Sequence, residues 1–202
     1  MIYEMIYEMI YNVFNFKICK YRNHTNRIKV HRCKRSNNMS YCFQCGNKLI
    51  KKQCNNEGEI PYCNECEMFR FSTFSSAISA IILNPDKDKV LLIQQYGRVD
   101  NILVAGYINK GEDAEKTLVR EVKEETGLNV KDYQYMKSRY YEKTNTLMCN
   151  FICTVDSEDL SQINYEIDKA QWFSFKDALK HIKNESLAEE FLIYAFKKMN
   201  YI

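Results

Sequence analysis

The 202-residue chain is 46% hydrophobic and 27% charged, a composition that supports one medium-sized domain with a small appendage and excludes a wholly disordered chain. Its net charge of +3 is unevenly distributed, because residues 1–40 carry eight Lys/Arg against two Glu and the remainder carries 21 Lys/Arg against 24 Asp/Glu. The main body is therefore mildly acidic, and its charge gives no support to general nucleic-acid binding.

Nine cysteines are present, but the sequence shows neither a start of the signal-peptide type nor a run of 18 apolar residues. We therefore expect a cytoplasmic protein in a reducing compartment, without a membrane span. In such a compartment, Cys-x-x-Cys pairs are more often metal ligands than disulfides.

Residues 1–38 show neither helical nor alternating periodicity, although MIYEMIYEMIY repeats a four-residue unit. We interpret them as a disordered basic extension, and a basic arm that touches RNA or a membrane is the alternative. Met39 then opens MSYCFQCGNKL in the manner of a fresh N-terminus, so Met1 and Met39 both stay open as the true start.

Residues 39–72 carry two Cys-x-x-Cys pairs, which are Cys42 with Cys45 and Cys63 with Cys66. The 17 residues between the pairs match the spacing of a four-cysteine zinc ribbon. Four thiolates complete a tetrahedron around Zn²⁺ and leave no open position, so the predicted zinc is structural. The segment has too few apolar residues for its own core, and metal binding would supply its folding free energy.

From residue 77 onward the pattern is that of a packed domain. Strands are predicted at 77–83 and 90–96, joined as a hairpin, then at 102–108, 130–143, 146–155 and 170–175. Helices are predicted at 113–126, which ends at Gly127, at 177–182, which Ser174 caps, and at 186–199. This order predicts an α+β fold of the α/β/α sandwich type.

The helix at 113–126 places three glutamates close together. Glu121, Glu124 and Glu125 span an arc of about 100°, next to the apolar side formed by Ala114, Leu118, Val119 and Val122. Three carboxylates at the margin of a core are tolerable when a divalent cation neutralises them, and oxygen ligands suit Mg²⁺ or Mn²⁺. Arg120 can also pair with Glu124 at i, i+4. Such a cluster suits phosphate chemistry.

The segment that contains this helix resembles the Nudix box. All nine box positions match, and they are Gly106, Glu112, Arg120, Glu121, Val122, Glu124, Glu125, Gly127 and Leu128. The resemblance covers residues 75–199. It implies the Nudix fold, a mixed sheet between helices, and hydrolysis of a nucleoside diphosphate linked to another moiety.

The resemblance also implies roles for single residues. Glu121, Glu124 and Glu125 would bind the Mg²⁺ or Mn²⁺ ion, and one of them would activate the attacking water. The backbone carbonyl of Ala105 would join them, and Glu112 would tie the loop to the helix. Glu166 resembles a further metal ligand from outside the box, with an exposed loop glutamate as the alternative. Gly106, Arg120 and Gly127 would support the motif.

A zinc ribbon directly ahead of a Nudix domain resembles the NADH pyrophosphatases, which also remove NAD caps from RNA. Phe71 and Tyr107 could stack on the substrate's bases, and simple packing is the alternative. That branch carries SQPWPFPQS after the box, whereas this chain has SRYYEKTNT at 138–146. We expect Arg139, Tyr140 and Tyr141 to contact the substrate there.

The expected reaction is cleavage of NADH or NAD⁺ to nicotinamide mononucleotide and AMP. ADP-ribose, a nucleotide sugar or a nucleoside triphosphate is the alternative substrate, and NAD-capped RNA is a further candidate. A nucleotide-sensing or RNA-binding regulatory module is the alternative of another class, and a degraded box would favour it. No box position is degraded. The oligomeric state stays open, with a homodimer among the possibilities.

Overall fold

The computed structural model describes residues 18–22, 28–32 and 40–202, and in the first two ranges it describes the backbone strands alone. The chain divides into two compact units, Met1–Thr73 and Phe74–Ile202. Met1, Met39 and most of the predicted extension at 1–38 lie outside the described residues. The domain boundaries expected from the sequence therefore stay predictions.

The first unit contains two small antiparallel sheets. One pairs β1 (Ile18–Arg22) with β2 (Ile28–Arg32), a pair of strands that the sequence patterns did not indicate. The other has the order β3 (Ile50–Gln53), β4 (Glu59–Cys63) and β5 (Met68–Phe69). These strands are short and carry few buried side chains, as expected of a unit without a core of its own.

The second unit is built on a six-stranded mixed sheet. Its strands are β6 (Ser75–Leu83), β7 (Lys89–Gln95), β8 (Val104–Tyr107), β9 (Val130–Tyr141), β10 (Thr146–Val155) and β11 (Ile167–Ser174). The order is β11-β7-β6-β10-β9, with β8 also paired to β6. β10 runs parallel to β6, and the other neighbouring pairs are antiparallel.

Helices cover both faces of this sheet. They are α1 (Ala114–Thr126), α2 (Phe175–His181) and α3 (Leu187–Lys198). Alternation along β6 directs Ile78 and Ala80 toward Leu118 and Val122 of α1, whereas Ile81 lies in a second core with α2 and α3. The α/β/α arrangement expected from the sequence is confirmed.

Several elements differ from the sequence prediction. β6 and β7 pair in register only at Leu83 and Val90, because β8 pairs with the same edge of β6 at residues 77–80. The third strand is shorter than expected, with Ala105 and Tyr107 exposed. Val119 is also 41% exposed, since it lies beyond the edge of the α1 surface that packs on the sheet.

The ends of α1 are fixed locally. The Asp113 side chain accepts a hydrogen bond from the backbone N–H of Lys116 at 3.0 Å and so caps the first turn. Gly127 ends the helix in the left-handed conformation at φ +76°, where a side chain would be strained. The glutamates near its end are therefore held on a helix of defined length and position.

Among the described residues, no helix combines the length and the apolar character needed to cross a bilayer.

Candidate active site

The three glutamates of α1 lie in different environments. Glu124 is exposed, Glu121 is half-buried, and Glu125 is only 5% exposed. Glu125 Oε2 accepts a hydrogen bond from Gln95 Nε2 at the end of β7, at 3.0 Å. Glu125 therefore lies against the sheet, while Glu124 faces solvent one residue away.

Arg120 connects these glutamates to the loop before α1. Its Nε and Nη2 bond to the two oxygens of Glu112 at 2.8 and 2.9 Å. Its Nη1 bonds to Glu121 Oε1 at 2.7 Å and to Glu124 Oε2 at 3.0 Å. Nη2 also donates to the carbonyl oxygen of Tyr107 at 3.2 Å. One guanidinium therefore contacts three carboxylates and the end of β8.

Glu112 ties the loop to the helix by further bonds. Its Oε2 accepts from the backbone N–H of Asn109 and from the hydroxyl of Thr117, both at 3.1 Å. The bonds from Arg120, followed by the bond from Asn109, lower the pKa of Glu112 to about 2. Glu112 therefore stays ionised and bound to Arg120 at neutral pH.

Gly106 provides the space that Glu121 occupies. A Cβ built on Gly106 would overlap the Cδ, Oε1 and Cγ atoms of Glu121. The backbone at Gly106 does not have a positive φ, so a glycine is needed here for close approach and not for conformation. The side chain of Glu121 therefore crosses directly over β8.

Glu125 carries an unfavourable charge in this environment. Burial, followed by the negative charges of Glu121 and Glu166, raises its pKa to about 8. Burial also raises the pKa of Glu121, while Arg120 opposes that shift. A site where several carboxylates converge and one is buried without a cationic partner fits a divalent cation.

The structure brings Glu166 to the same place. The backbone N–H of Asn164 donates to the carbonyl oxygen of Glu125 at 2.9 Å, and Asn164 Oδ1 accepts from the N–H of Glu166 at 2.9 Å. The hydroxyl of Tyr96 lies 3.3 Å from Glu166 Oε2. The charge of Glu166 is among the causes of the raised pKa of Glu125, so the two carboxylates are neighbours.

Ala105 and Tyr107 point away from the glutamates. Gly106 faces α1, so the side chains on either side of it face the opposite side of the sheet. Ala105 precedes Gly106 in β8 and pairs with Ser79 of β6. Ala105 is therefore next to the residue that Glu121 approaches, and its side chain faces away from the glutamates. Tyr107 is exposed on the other face.

The remaining expected substrate contacts are dispersed. Arg139 Nε lies 3.7 Å from Glu190 Oε2 of α3, on the face opposite α1. Tyr140 donates to Asn145 Oδ1 at 2.6 Å and packs edge-on against Phe74, while Lys143 lies over Tyr141. Phe71 is exposed in the first unit. The structure does not bring Arg139 together with the glutamates, and segment 138–146 forms strand ends and a turn.

Sequence reasoning missed Gln95 and Tyr96, which contact Glu125 and Glu166. The available signal was a pair of polar residues, Gln94 and Gln95, at the end of the apolar strand VLLI. That signal is weak, because polar residues commonly end strands.

The four expected cysteines of the first unit converge. The sulfur atoms of Cys42, Cys45, Cys63 and Cys66 all lie within 4.8 Å of one another. Two of the distances are 3.9 Å (Cys42 to Cys66) and 3.4 Å (Cys45 to Cys63), close to the edge of about 3.8 Å in a tetrahedral zinc–thiolate site. Gly46 makes the tight turn after Cys45 at φ +76°. Cys54 lies outside this group.

Hydrogen bonds to sulfur favour the thiolate at Cys42 and the neutral thiol at Cys66. Arg70 Nε donates to Cys42 Sγ at 3.2 Å, and the N–H of Cys66 donates to Cys63 Sγ at 3.4 Å. Burial opposes ionisation of Cys42, but N–H donors from Cys45 and Gln44, together with Arg70, lower its pKa to about 6. The hydrogen bond with Cys45, followed by burial, raises the pKa of Cys66 to about 12. The donor set and its spacing fit zinc.

Comparison with known proteins identifies the second unit. The family model for the NUDIX domain matches residues 73–193. The chain belongs to the NUDIX family. The nine Nudix box residues lie within this match, so the resemblance inferred from them is confirmed.

Relatives of this NUDIX protein include two enzymes named NAD-capped RNA hydrolase NudC. The one from Vibrio parahaemolyticus is 30% identical over 142 residues, which is 69% of this chain and 52% of the relative. The one from Pseudomonas aeruginosa is 31% identical over 141 residues, which is 69% of this chain and 49% of the relative. The chain therefore spans about half the length of the curated relatives it matches.

Solved structures show the same fold. A NUDIX hydrolase from Nitrosomonas europaea aligns with a TM-score of 0.59 at 16% identity, over 81% of this chain and 93% of that one. The NUDIX domain of Shewanella oneidensis NrtR, solved with ADP ribose, aligns with a TM-score of 0.52 at 18% identity, over 70% and 94% of the two chains.

The glutamates of the NUDIX unit are spread more widely than the cysteines. Within residues 40–202, the cysteine cluster is the only group of three or more potential ligands whose atoms all lie within 4.8 Å. Arg120 bonds to the carboxylates of Glu121 and Glu124 in this geometry. Binding of a cation at Glu125 would require these side chains to turn from Arg120 toward Glu125.

Replacing Gly106 with alanine should displace the carboxylate of Glu121, because the new Cβ would overlap its Cγ and Cδ atoms. We expect hydrolase activity to fall by at least about tenfold, as the loss of one aligned ligand raises the barrier by about 1.4 kcal/mol or more. Activity and melting temperature should be measured together with those of the wild type, so that a loss of folding is separated from a loss of activity. An active Gly106→Ala enzyme would contradict the assigned position of Glu121.

Glu125→Gln should abolish hydrolysis and stabilise the metal-free protein at pH 8. Folding raises the pKa of Glu125 from about 4.5 to about 8. The folded state then binds more protons than the unfolded state between these values, so this residue lowers stability as pH rises through that window. Glutamine removes the buried charge and still accepts a bond from Gln95. Melting curves in a chelator at pH 5 and pH 8 test this, and a lower melting temperature than wild type at pH 8 would contradict it.

Cys63→Ser should unfold the first unit before the second, because the cysteine cluster provides the ligands on which that unit depends. We expect the purified full chain to hold about one zinc per molecule and the variant to lose it. Zinc analysis and hydrogen exchange of residues 40–73 measure both effects. Cys54→Ser, in the same unit but outside the cluster, is the matched control. Equal zinc content in both variants would be incompatible with the site.

Proposed function

We propose that the protein is a metal-dependent Nudix pyrophosphohydrolase that cleaves the diphosphate bond of a nucleoside diphosphate linked to another moiety. The observation that carries the proposal is the convergence of Glu166 with Glu125, which Asn164 connects through hydrogen bonds to both residues. Glu166, directly before β11, adds a carboxylate to the box glutamates of α1. An intact box on a helix, joined by a carboxylate distant in sequence, supports an enzyme over a nucleotide-sensing module.

The residues proposed to hold Mg²⁺ or Mn²⁺ are Glu121, Glu124, Glu125, Glu166 and the carbonyl oxygen of Ala105. The bound ion would neutralise the diphosphate and make its water more acidic. Glu121 and Glu124 would turn from Arg120 toward the ion, while Arg120 would keep its two bonds to Glu112. One of the glutamates would accept the proton of the attacking water.

The proposed substrates are NADH and NAD⁺, and the products would be nicotinamide mononucleotide and AMP. The support is the similarity to relatives named NAD-capped RNA hydrolase, together with the cysteine unit ahead of the NUDIX domain. NAD-capped RNA is a proposed substrate for the same reason. The departure at 138–146 and the direction of Arg139 toward Glu190 indicate that this chain contacts the leaving moiety differently.

A structural Zn²⁺ at the four cysteines is the second proposed ion. Its proposed role is to fold the first unit, and it takes no part in hydrolysis. All described cysteines carry free thiols, which agrees with a reducing, cytoplasmic location.

The test is to compare kcat/KM for NADH, NAD⁺, ADP-ribose and a nucleoside triphosphate under one metal condition. We expect NADH or NAD⁺ to lead, with weak selectivity against ADP-ribose, because a distinct leaving moiety needs specific contacts to be rejected. If the triphosphate exceeds NADH by more than about tenfold, or about 1.4 kcal/mol in transition-state binding, the dinucleotide proposal is wrong. Glu125→Gln serves as the control for contaminating activity.

A further inference from the structure

The turn that follows β7 presents three consecutive donors to three carboxylates. Gln95 Nε2 donates to Glu125 Oε2 at 3.0 Å, and the hydroxyl of Tyr96 donates to Glu166 Oε2 at 3.3 Å. The backbone N–H of Gly97 donates to Asp168 Oδ2 at 2.6 Å. One short turn therefore connects the buried glutamate of α1 with the segment that carries Glu166.

The backbone of this turn is unusual for its sequence. Tyr96 and Gly97 have φ values of +58° and +69°, and the N–H of Arg98 bonds to the carbonyl of Gln95 at 3.2 Å. Positive φ at both central residues is typical of a type I′ turn, where Asn-Gly is preferred. A tyrosine in the first central position is strained, and such strain persists where surrounding contacts fix it.

β11, the strand that pairs with β7, has a β-bulge next to this turn. Ile167 pairs with Gln95 and Lys169 pairs with Gln94, so Asp168 is an extra residue in β11. Such a bulge redirects side chains locally. The bulge residue Asp168 makes the contact with Gly97, and Glu166 lies two residues before it, directly ahead of β11.

The backbone of Glu166 is fixed from the other side. Asn164 Oδ1 accepts its N–H at 2.9 Å, while the N–H of Asn164 bonds to the carbonyl of Glu125, also at 2.9 Å. These bonds set the position of the Cα atom of Glu166 but leave its side-chain torsions free. The hydroxyl of Tyr96 restricts those torsions.

We infer that Tyr96 is a positioning residue that acts through Glu166, by holding its carboxylate beside Glu125 for the cation. The inference rests on the proposed function, in which Glu166 is a metal ligand. An oriented ligand loses less rotamer freedom when the ion binds, and partners of metal ligands commonly change affinity by about 10–100-fold. The 3.3 Å bond is long and partly exposed, so we expect a smaller effect of about fivefold.

A double-mutant cycle on the full chain tests the inference. The proteins are wild type, Tyr96→Phe, Glu166→Gln and the double variant. Phenylalanine keeps the ring and the backbone strain and removes only the hydroxyl. The dissociation constant of Mn²⁺ alone is measured by electron paramagnetic resonance, and kcat and KM for NADH are measured at low and saturating Mg²⁺. Tyr165→Phe removes a hydroxyl from a 93% exposed neighbour and is the matched control.

We expect Tyr96→Phe to weaken Mn²⁺ binding about fivefold, to lower activity at low Mg²⁺, and to regain activity at saturating Mg²⁺. In the Glu166→Gln background, Tyr96→Phe should alter Mn²⁺ affinity less than about twofold, because Tyr96 no longer has a carboxylate ligand to orient. Tyr165→Phe should leave Mn²⁺ affinity unchanged.

Three results would overturn the inference. If Tyr96→Phe binds Mn²⁺ normally while Glu166→Gln binds it more weakly, Tyr96 has no positioning role, and the proposed function still stands. A raised KM for NADH at unchanged Mn²⁺ affinity would make Tyr96 a substrate contact. Unchanged Mn²⁺ affinity in Glu166→Gln would remove Glu166 from the proposed metal site itself.

Discussion

The candidate site depends on the guanidinium of Arg120. Five glutamates lie within the loop and helix at 112–125, and their mutual repulsion would destabilise the helix. Arg120 contacts three of them, Glu112, Glu121 and Glu124, and also reaches the carbonyl oxygen of Tyr107. A planar group with five donors can hold carboxylates on several sides at once, which a lysine could not do. Arg120 thus fixes the loop, the helix and β8 relative to one another.

Glu125 is the one Nudix box glutamate that Arg120 does not contact, and its buried position is unfavourable for its charge. Its charge is buried against the sheet, with Gln95 as a neutral hydrogen-bond donor. The physical consequence is a raised pKa, so the contribution of Glu125 to the stability of the metal-free protein falls as pH rises. Such a cost is common at functional sites, where a charge is placed for a ligand and not for folding.

The two units are stabilised by different interactions. The NUDIX unit buries apolar side chains on both faces of its sheet, with Phe151, Phe191 and Phe196 fully enclosed. The first unit has four cysteines where a core would be, and large side chains such as Phe43 and Tyr41 remain exposed. Its stability therefore depends on ligand chemistry, and that of the NUDIX unit depends on packing.

The sequence by itself determined the features that follow from spacing along one element. Helical geometry fixes the common face of Glu121, Glu124 and Glu125, and the two Cys-x-x-Cys pairs predict the cysteine cluster, so these residues were identified without coordinates. The sandwich of helices around a sheet also followed from the order of the elements. Strand pairing was harder to predict from the sequence, because β7 pairs with β11, which lies about 75 residues further along the chain.

Only the tertiary structure decided the contacts between distant elements. Glu166 lies beside Glu125 because Asn164 bonds to the end of α1, and Gly106 faces Glu121 because β8 pairs with β6 in one register. Arg139 faces α3 for a similar reason: a bulge between β9 and β10 sets which side chains lie on each face. A shift of one residue in strand register reverses the faces, so the side chains that lie beside α1 depend on pairing with strands distant in the sequence.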